Sequence, residues 1–378
     1  MRKQSISPLT NKALSLLQGM FNEEKAIFSF SSRLIDGQII NEYSKEGYIR
    51  YTINSFLGLV KADQIYDIDW QLKQKINRFL QLNKDKILNY GDKGLLLYLL
   101  SAIEHRSASS LLEELENFSN DEDQLLRLNL QEISWLLLGF VKSYEFLKEK
   151  NSSKHCHKLV KLILKYYWNC DSLFPYYSLD KWRKPYNSFG GIVYFLKSLY
   201  EYSNTFDDNY TRTIFIELSK RIISLQGYNG EWAWYYNVNK AKILDWYQIY
   251  SVHQDSMAIL FLLPLLSLGV EEAEQASRKS YRWLFGNNEL QMNLVSNNPF
   301  WIPRSIKKKG RFEREKRFVK SIMTSYLPYK TKQTNSSLLQ VNTECRSYHI
   351  GWILYIWSGV KGFEEFTELQ LLKNNYNL

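Results

Sequence analysis

Two stretches of the chain concentrate side chains that can move protons or hold a polar ligand. The first is His253-Gln254-Asp255, set just before the apolar run that begins at Met257. At the edge of a dry interior, burial raises a carboxyl pKa enough for general-acid work. His253 could orient Asp255 or carry the proton itself. The second stretch runs from Gln226 through Gly230, Glu231, Trp232, Trp234 and Tyr235 to Tyr236, and is followed by Asp245-Trp246-Tyr247. Flat aromatic faces beside carboxylates suit sugars, which stack their C–H faces on rings, or carbocations, which the ring quadrupole stabilises. The expected roles follow. Asp255 and Glu231 are the acid/base carboxylates, with His253 assisting, and Trp232, Trp234, Tyr235, Asp245 and Trp246 form the substrate platform. Were two such carboxylates to face each other, a gap of about 5–5.5 Å would mean retention and about 6.5–9.5 Å inversion.

Such residues must be brought together by elements that lie far apart in sequence. Six segments share one plan, a polar or glycine-bearing head followed by an apolar run, beginning near Gly47, Gly91, Leu130, Tyr186, Tyr250 and Cys345. Each is apolar nearly all round, as a helix enclosed by others should be. Between them lie amphipathic segments, Trp70–Leu82, Leu111–Phe118, His157–Trp168, Asp207–Leu225 and Glu271–Phe285, with apolar residues recurring at three and four. Alternation of buried and amphipathic helices marks a helical-hairpin repeat. The expected fold is all-α, a closed α/α toroid of about six hairpins in one domain spanning 1–378. A basic insertion lies near 300–340.

In such a ring the inner helices run parallel, so their N-termini open at one end, with unpaired N–H groups and a positive dipole potential. The heads place Arg50, Asp92, Glu132, Asn187, His253, Asp255, Arg346 and His349 there. Arg50, Arg346 and His349 are the expected substrate-binding residues among them. Asp92, Glu132 and Asn187 would equally serve as helix caps.

Gln226, Gly230 and Trp232 resemble the Q-x-x-x-G-x-W repeat of squalene–hopene cyclases and related terpenoid cyclases, whose fold is an α/α toroid. A similar turn occurs in α/α-toroid polysaccharide lyases, and Tyr250-Ser-Val-His-Gln-Asp255 is similar to a signature of other bacterial proteins. The resemblance implies the toroid and the superfamily that also holds six-hairpin glycosidases. The chain lacks the D-x-D-D and D-D-x-x-D motifs of cyclase chemistry. The resulting expectation is a glycan hydrolase, lyase or epimerase acting on an oligosaccharide or small molecule, including an anionic one. An isoprenoid cyclase-like enzyme and a non-catalytic binding toroid are the alternatives.

Composition bounds the rest. The formal net charge is +10, but Arg304–Lys320 alone holds nine Lys or Arg against Glu313 and Glu315, a surplus of seven. Charge concentrated in one stretch fits a loop facing an anion or, at most, peripheral membrane contact rather than a nucleic-acid binder. The stretch lacks the interleaved aromatics of a single-strand binder. Cys156, Cys170 and Cys345 are scattered, giving neither a disulfide framework nor a paired metal site. His155-Cys156-His157 is a weak metal pattern, and the reading assigns no metal and no cofactor. No signal segment or bilayer-length apolar run is present, so the expected location is cytoplasmic.

Overall fold

The computed structural model describes residues 6–43, 47–147, 150–310 and 335–360, together with 316, 319–320 and 323–324. The chain is mostly helical. Its helices are α1 (Pro8–Gly19), α2 (Tyr48–Tyr66), α3 (Leu72–Asn83), α4 (Tyr90–Ala102), α5 (Ser107–Ser119), α6 (Glu122–Arg127), α7 (Leu130–Leu147), α8 (Lys150–Tyr166), α9 (Phe189–Phe206), α10 (Asn209–Ile223), α11 (Ile259–Ser267), α12 (Glu272–Arg282) and α13 (Ser347–Trp357). A π-helical turn, His253–Met257, leads into α11.

The six apolar segments become α2, α4, α7, α9, the π turn with α11, and α13. Each packs on the next in that order, and α13 also packs on α2. The amphipathic segments become α3, α5, α8, α10 and α12. In α12, Ala273, Ala276, Ser277, Ser280 and Tyr281 are buried while Glu272, Glu274 and Arg282 face out, the single stripe of a helix covered on one side. The helix α1 was not expected. Ser7 caps it by accepting from the Thr10 N–H, Pro8 opens it, and it packs on α13 with Leu9, Ala13, Leu14, Leu16 and Leu17 buried.

Two of the inner contacts are made through glycine. A Cβ on Gly58 of α2 would stand 2.0 Å from the Gly351 carbonyl oxygen of α13, and one on Gly351 would stand 2.7 Å from the Ser55 Cα. Between α4 and α7, a Cβ on Gly94 would lie 2.6 Å from the Leu136 Cα, and one on Gly139 would lie 2.4 Å from the Gly94 oxygen. Backbone cannot move aside as a side chain can. Gly94→Ala should therefore cost about 2 kcal/mol or more, the range of an overpacked core, seen as a lowered Tm in calorimetry. An unchanged Tm would contradict this close approach.

Aromatic and charged groups fill the space between the inner helices. Trp135 of α7 meets Tyr194 of α9 edge-on at 5.1 Å, and Tyr194 lies 5.9 Å from Trp352 of α13. Further along the helices, the hydroxyls of Tyr98 (α4) and Tyr355 (α13) are 2.6 Å apart, and Lys197 (α9) donates to Tyr355 at 3.1 Å and to Glu201 at 2.7 Å. Burial alone would depress the Lys197 pKa, but Glu201, Tyr355 and Tyr98 outweigh it and hold the ammonium well above its ordinary value.

The expectation of an all-α chain needs a correction: short strands pair between the helices in sheets of two or three. Residues Tyr186–Ser188, Tyr235–Asn237 and Lys242–Asp245 form one sheet. Ile249–Tyr250, Ser305–Lys308 and Leu339–Asn342 form another. The second arises because part of the expected insertion pairs with the strand that enters the π turn. Of the basic stretch, Arg304 and Lys307–Lys309 are described, whereas Arg311, Arg314 and Arg317 lie outside the described residues. No described helix is long and apolar enough to cross a membrane.

Candidate active site

Capping settles which head residues are left for other work. Asn89 caps α4 by accepting from the Asp92 N–H at 3.1 Å. Asn129 and Glu132 cap α7 reciprocally. Asn129 Oδ1 accepts from the Glu132 N–H at 3.1 Å, and Glu132 Oε2 accepts from the Asn129 N–H at 2.9 Å. Glu132 Oε1 also accepts from the Asn89 amide at 2.8 Å, tying the two helix starts together. Asn187 instead donates to the Pro175 oxygen, and Ser188 caps α9. Glu132 is thus a cap as well as a head residue, while the Asp92 side chain caps nothing.

Asp92 faces Arg50 across the α2–α4 contact, with the guanidinium Nε 2.6 Å from Oδ1. The guanidinium also lies over the Trp135 ring, 4.6 Å from its centroid. Burial raises the Asp92 pKa, Arg50 opposes that rise, Glu132 adds to it, and the net shift is upward. A carboxyl so placed is easier to keep protonated. Beside this group Tyr51 packs on Phe30 at 4.9 Å and on Tyr348 at 4.4 Å. Arg304 lies 5.4 Å from the Tyr250 centroid. Four buried nitrogens at or near the helix starts, Trp135 Nε1, His253 Nδ1, Arg304 Nε and Arg346 Nε, have no protein partner. Buried polar groups normally have partners, so unmet ones mark where a ligand or water belongs.

His253 and Asp255 do not pair, contrary to expectation. The π turn, closed by the Ala258 N–H on the His253 oxygen at 3.2 Å, directs them differently. Asp255 is buried, its two oxygens each 2.8 Å from His349 Nε2, and Ser256 donates to Oδ1 at 2.7 Å. The carboxylate lines a small apolar cavity with Leu9, Tyr281, Ile353 and Trp357, between α13 and the outer helices α1 and α12. That places it behind the inner layer. The expected His349 role as a substrate contact shifts accordingly, since Asp255 holds its ring. His253 lies against Phe189 at 4.8 Å and Tyr250 at 5.0 Å. Burial, with His349 nearby, pushes its pKa down to about 3, so the imidazole is neutral and a weak base.

This shift has a measurable consequence for stability. Unfolded His takes a proton near pH 6.5, whereas folded His253 resists until about 3. Its contribution is therefore complete above about pH 6.5 and is lost as pH falls, by up to about 1.4 kcal/mol per pH unit. Tm curves for wild type and His253→Phe should converge between pH 6.5 and 4. Parallel curves would mean that His253 titrates freely.

Glu231 is not at the mouth either. It is fully buried within its own turn, and a Cβ on Gly227 would meet its carboxyl at 2.1 Å. The turn is fastened to α12: Gln226 donates to the Gly230 and Ala276 oxygens, and Trp232 Nε1 donates to Ser280 Oγ at 2.7 Å. The Gln-Gly-Trp pattern is thus a clamp between hairpins, and Trp232, stacked on Phe189 at 5.4 Å, is core. The half-buried Trp234 packs on Tyr235 at 4.9 Å and on Tyr250 at 5.3 Å, so these two remain beside His253. Asp245 is buried, with Lys308 at 3.5 Å, and Trp246 is half-buried. Arg346 holds Glu344 at 2.7 Å and the Phe30 oxygen at 3.1 Å through its terminal nitrogens, while its Nε has no protein partner. His155 and His157 point to Ser119 and Tyr202 respectively, away from each other.

Four mouth residues escaped the sequence reading as site residues: Tyr51, Tyr177, Arg304 and Tyr348. Tyr51 and Tyr348 sit in first turns beside Arg50 and His349, which is the signal that could have found them.

With this geometry in place, comparison with solved structures is informative about the fold. The chain is similar to a sugar epimerase from a ruminal bacterium (TM-score 0.60, 10% identity, covering 85% of this chain and 98% of that one). It is similar to a glycosyl hydrolase family 88 protein from Bacteroides vulgatus (0.58, 12%, 92% and 95%). It is also similar to the cellobiose 2-epimerase of Bacillus thermoamylovorans B4167 (0.58, 10%, 73% and 86%). The chain shares the fold of these proteins. No protein-family profile and no curated protein matches the sequence.

Proposed function

We propose that the chain is a carbohydrate-active enzyme, working by acid–base catalysis at the mouth of a closed ring of six helical hairpins. Ring closure is supported by α13 packing on both the π turn and α2, with α1 as the sixth outer helix. The observation that carries the function is the Arg50–Asp92–Glu132 cluster, drawn from the starts of three inner helices and set among aromatic faces and unmet donors. In this reading Asp92 donates a proton to the sugar, with Arg50 holding its orientation. Neutral His253, on the helix opposite α4 in the ring, offers a hydrogen bond to the other face. Glu132 fixes the two helix starts. Tyr51, Tyr177, Trp234, Tyr235 and Tyr348 provide ring faces for the sugar, and Arg304 offers donors to its hydroxyl or carboxylate oxygens. Asp255 acts through His349, as a positioning residue. The similar structures are named for sugar epimerisation and glycoside hydrolysis, which supports a glycan over an isoprenoid. The charged groups at the mouth favour the same choice, since a terpenoid chamber is apolar.

The test is turnover of a panel of neutral and acidic oligosaccharides by wild type and by Asp92→Asn. Turnover of a glycan by wild type and its loss in the variant are expected. Conversion of prenyl diphosphates, with every glycan untouched, would reverse the assignment.

A further inference from the structure

We infer that the loop 176–186 is an outer subsite that holds the continuing chain of an acidic glycan whose end lies in the mouth; this rests on the glycan reading above. The loop is anchored to the mouth. Tyr177 accepts from the Leu130 N–H at 2.8 Å, at the start of α7, and its phenol is within electrostatic reach of Glu132, Arg50 and Tyr235. Tyr186 meets Tyr235 edge-on at 5.7 Å.

From there the loop carries its ring faces and cations outward. Asp180 builds the turn: its carboxylate accepts from the Trp182 N–H at 2.8 Å, and its carbonyl from the N–H groups of Arg183 and Lys184. The turn presents Trp182 with 54% of its surface exposed, the one tryptophan among the exposed large apolar side chains of the described residues. Each cation lies over a ring: Arg183 over Tyr177 at 5.1 Å, Lys184 over Tyr176 at 4.6 Å and Lys181 over Trp182 at 5.3 Å. Alternating flat faces and cations suit a chain that presents sugar faces and carboxylates in turn. The carboxylate of Asp180 is occupied in the turn, so the surface offered is cationic.

Binding of α-1,4-oligogalacturonides and hyaluronan fragments, each of two and six sugar units, tests this by calorimetry. For at least one series, wild type should bind the six-unit chain about tenfold more tightly than the two-unit one, a difference of about 1.4 kcal/mol. Trp182→Ala and the pair Lys181→Glu/Arg183→Glu should abolish that gain while leaving two-unit affinity intact. These side chains are exposed, so the variants keep the fold. Equal affinity for both lengths, or a gain that survives in Trp182→Ala, overturns the outer subsite and leaves the mouth standing. An equal gain for neutral cellohexaose overturns its acidic preference. No binding at either length overturns the reading of the mouth together with it.

Discussion

Asp92→Asn should lower kcat by about 10²–10⁴-fold, the usual worth of a positioned general acid, with Tm almost unchanged. The amide keeps an oxygen for Arg50 Nε, now 2.6 Å away, but has no proton to give. The pair is partly solvent-exposed, with side-chain exposures of 33% and 14%, so its contribution to stability is about 1 kcal/mol or less. The pH profile carries a sharper signature. An acid must be protonated, so activity should decline as pH rises through the Asp92 pKa. Since Arg50 holds that pKa down against burial, Arg50→Met should move the declining limb to higher pH. A fully active Asp92→Asn, or a limb that stays in place in Arg50→Met, would remove Asp92 from the chemistry.

The second large effect is on stability. Asp255→Ala should cost about 3–5 kcal/mol, the range for breaking a buried ionic or hydrogen-bonded pair by removing one partner. His349 Nε2 would lose both of its carboxylate contacts and the Ser256 hydroxyl its acceptor, in a region closed to water. For a chain of this size Tm should fall by about 4–6 °C. Asp255→Asn, which keeps an acceptor for His349, should lose less. A different pattern would make Asp255 catalytic instead: a stable Asp255→Asn that loses turnover as completely as Asp92→Asn.

The contrast between these two carboxylates shows where sequence reasoning reached its limit. Segments apolar all round had to be enclosed, and all six became helices packed one on the next. Their heads bring Arg50 to Asp92 and Asn89 to Glu132, a juxtaposition legible from position alone. Asp255 is not. It lies two residues past His253 in a turn closed by an i→i+5 bond, and the extra residue in that turn rotates its side chain off the expected face. Glu231 was misplaced for another reason. A glutamate between Gly230 and Trp232 looks available, but the turn folds back on Gly227 and buries it. Arg304 and Glu344 are neighbours only because the strand Ser305–Lys308 pairs with Leu339–Asn342, and no local pattern announces a contact over that separation. The helix α1 was missed because its apolar stripe is short and its partner, α13, lies at the other end of the described chain.

The knot of Tyr98, Tyr355, Lys197 and Glu201 bears on what kind of attack is open to the protein. It ties α4, α9 and α13 together, and in the proposed ring it would close the far end of the axis to a threaded polymer. On the proposed reading, a glycan would then enter and leave the mouth by the same door.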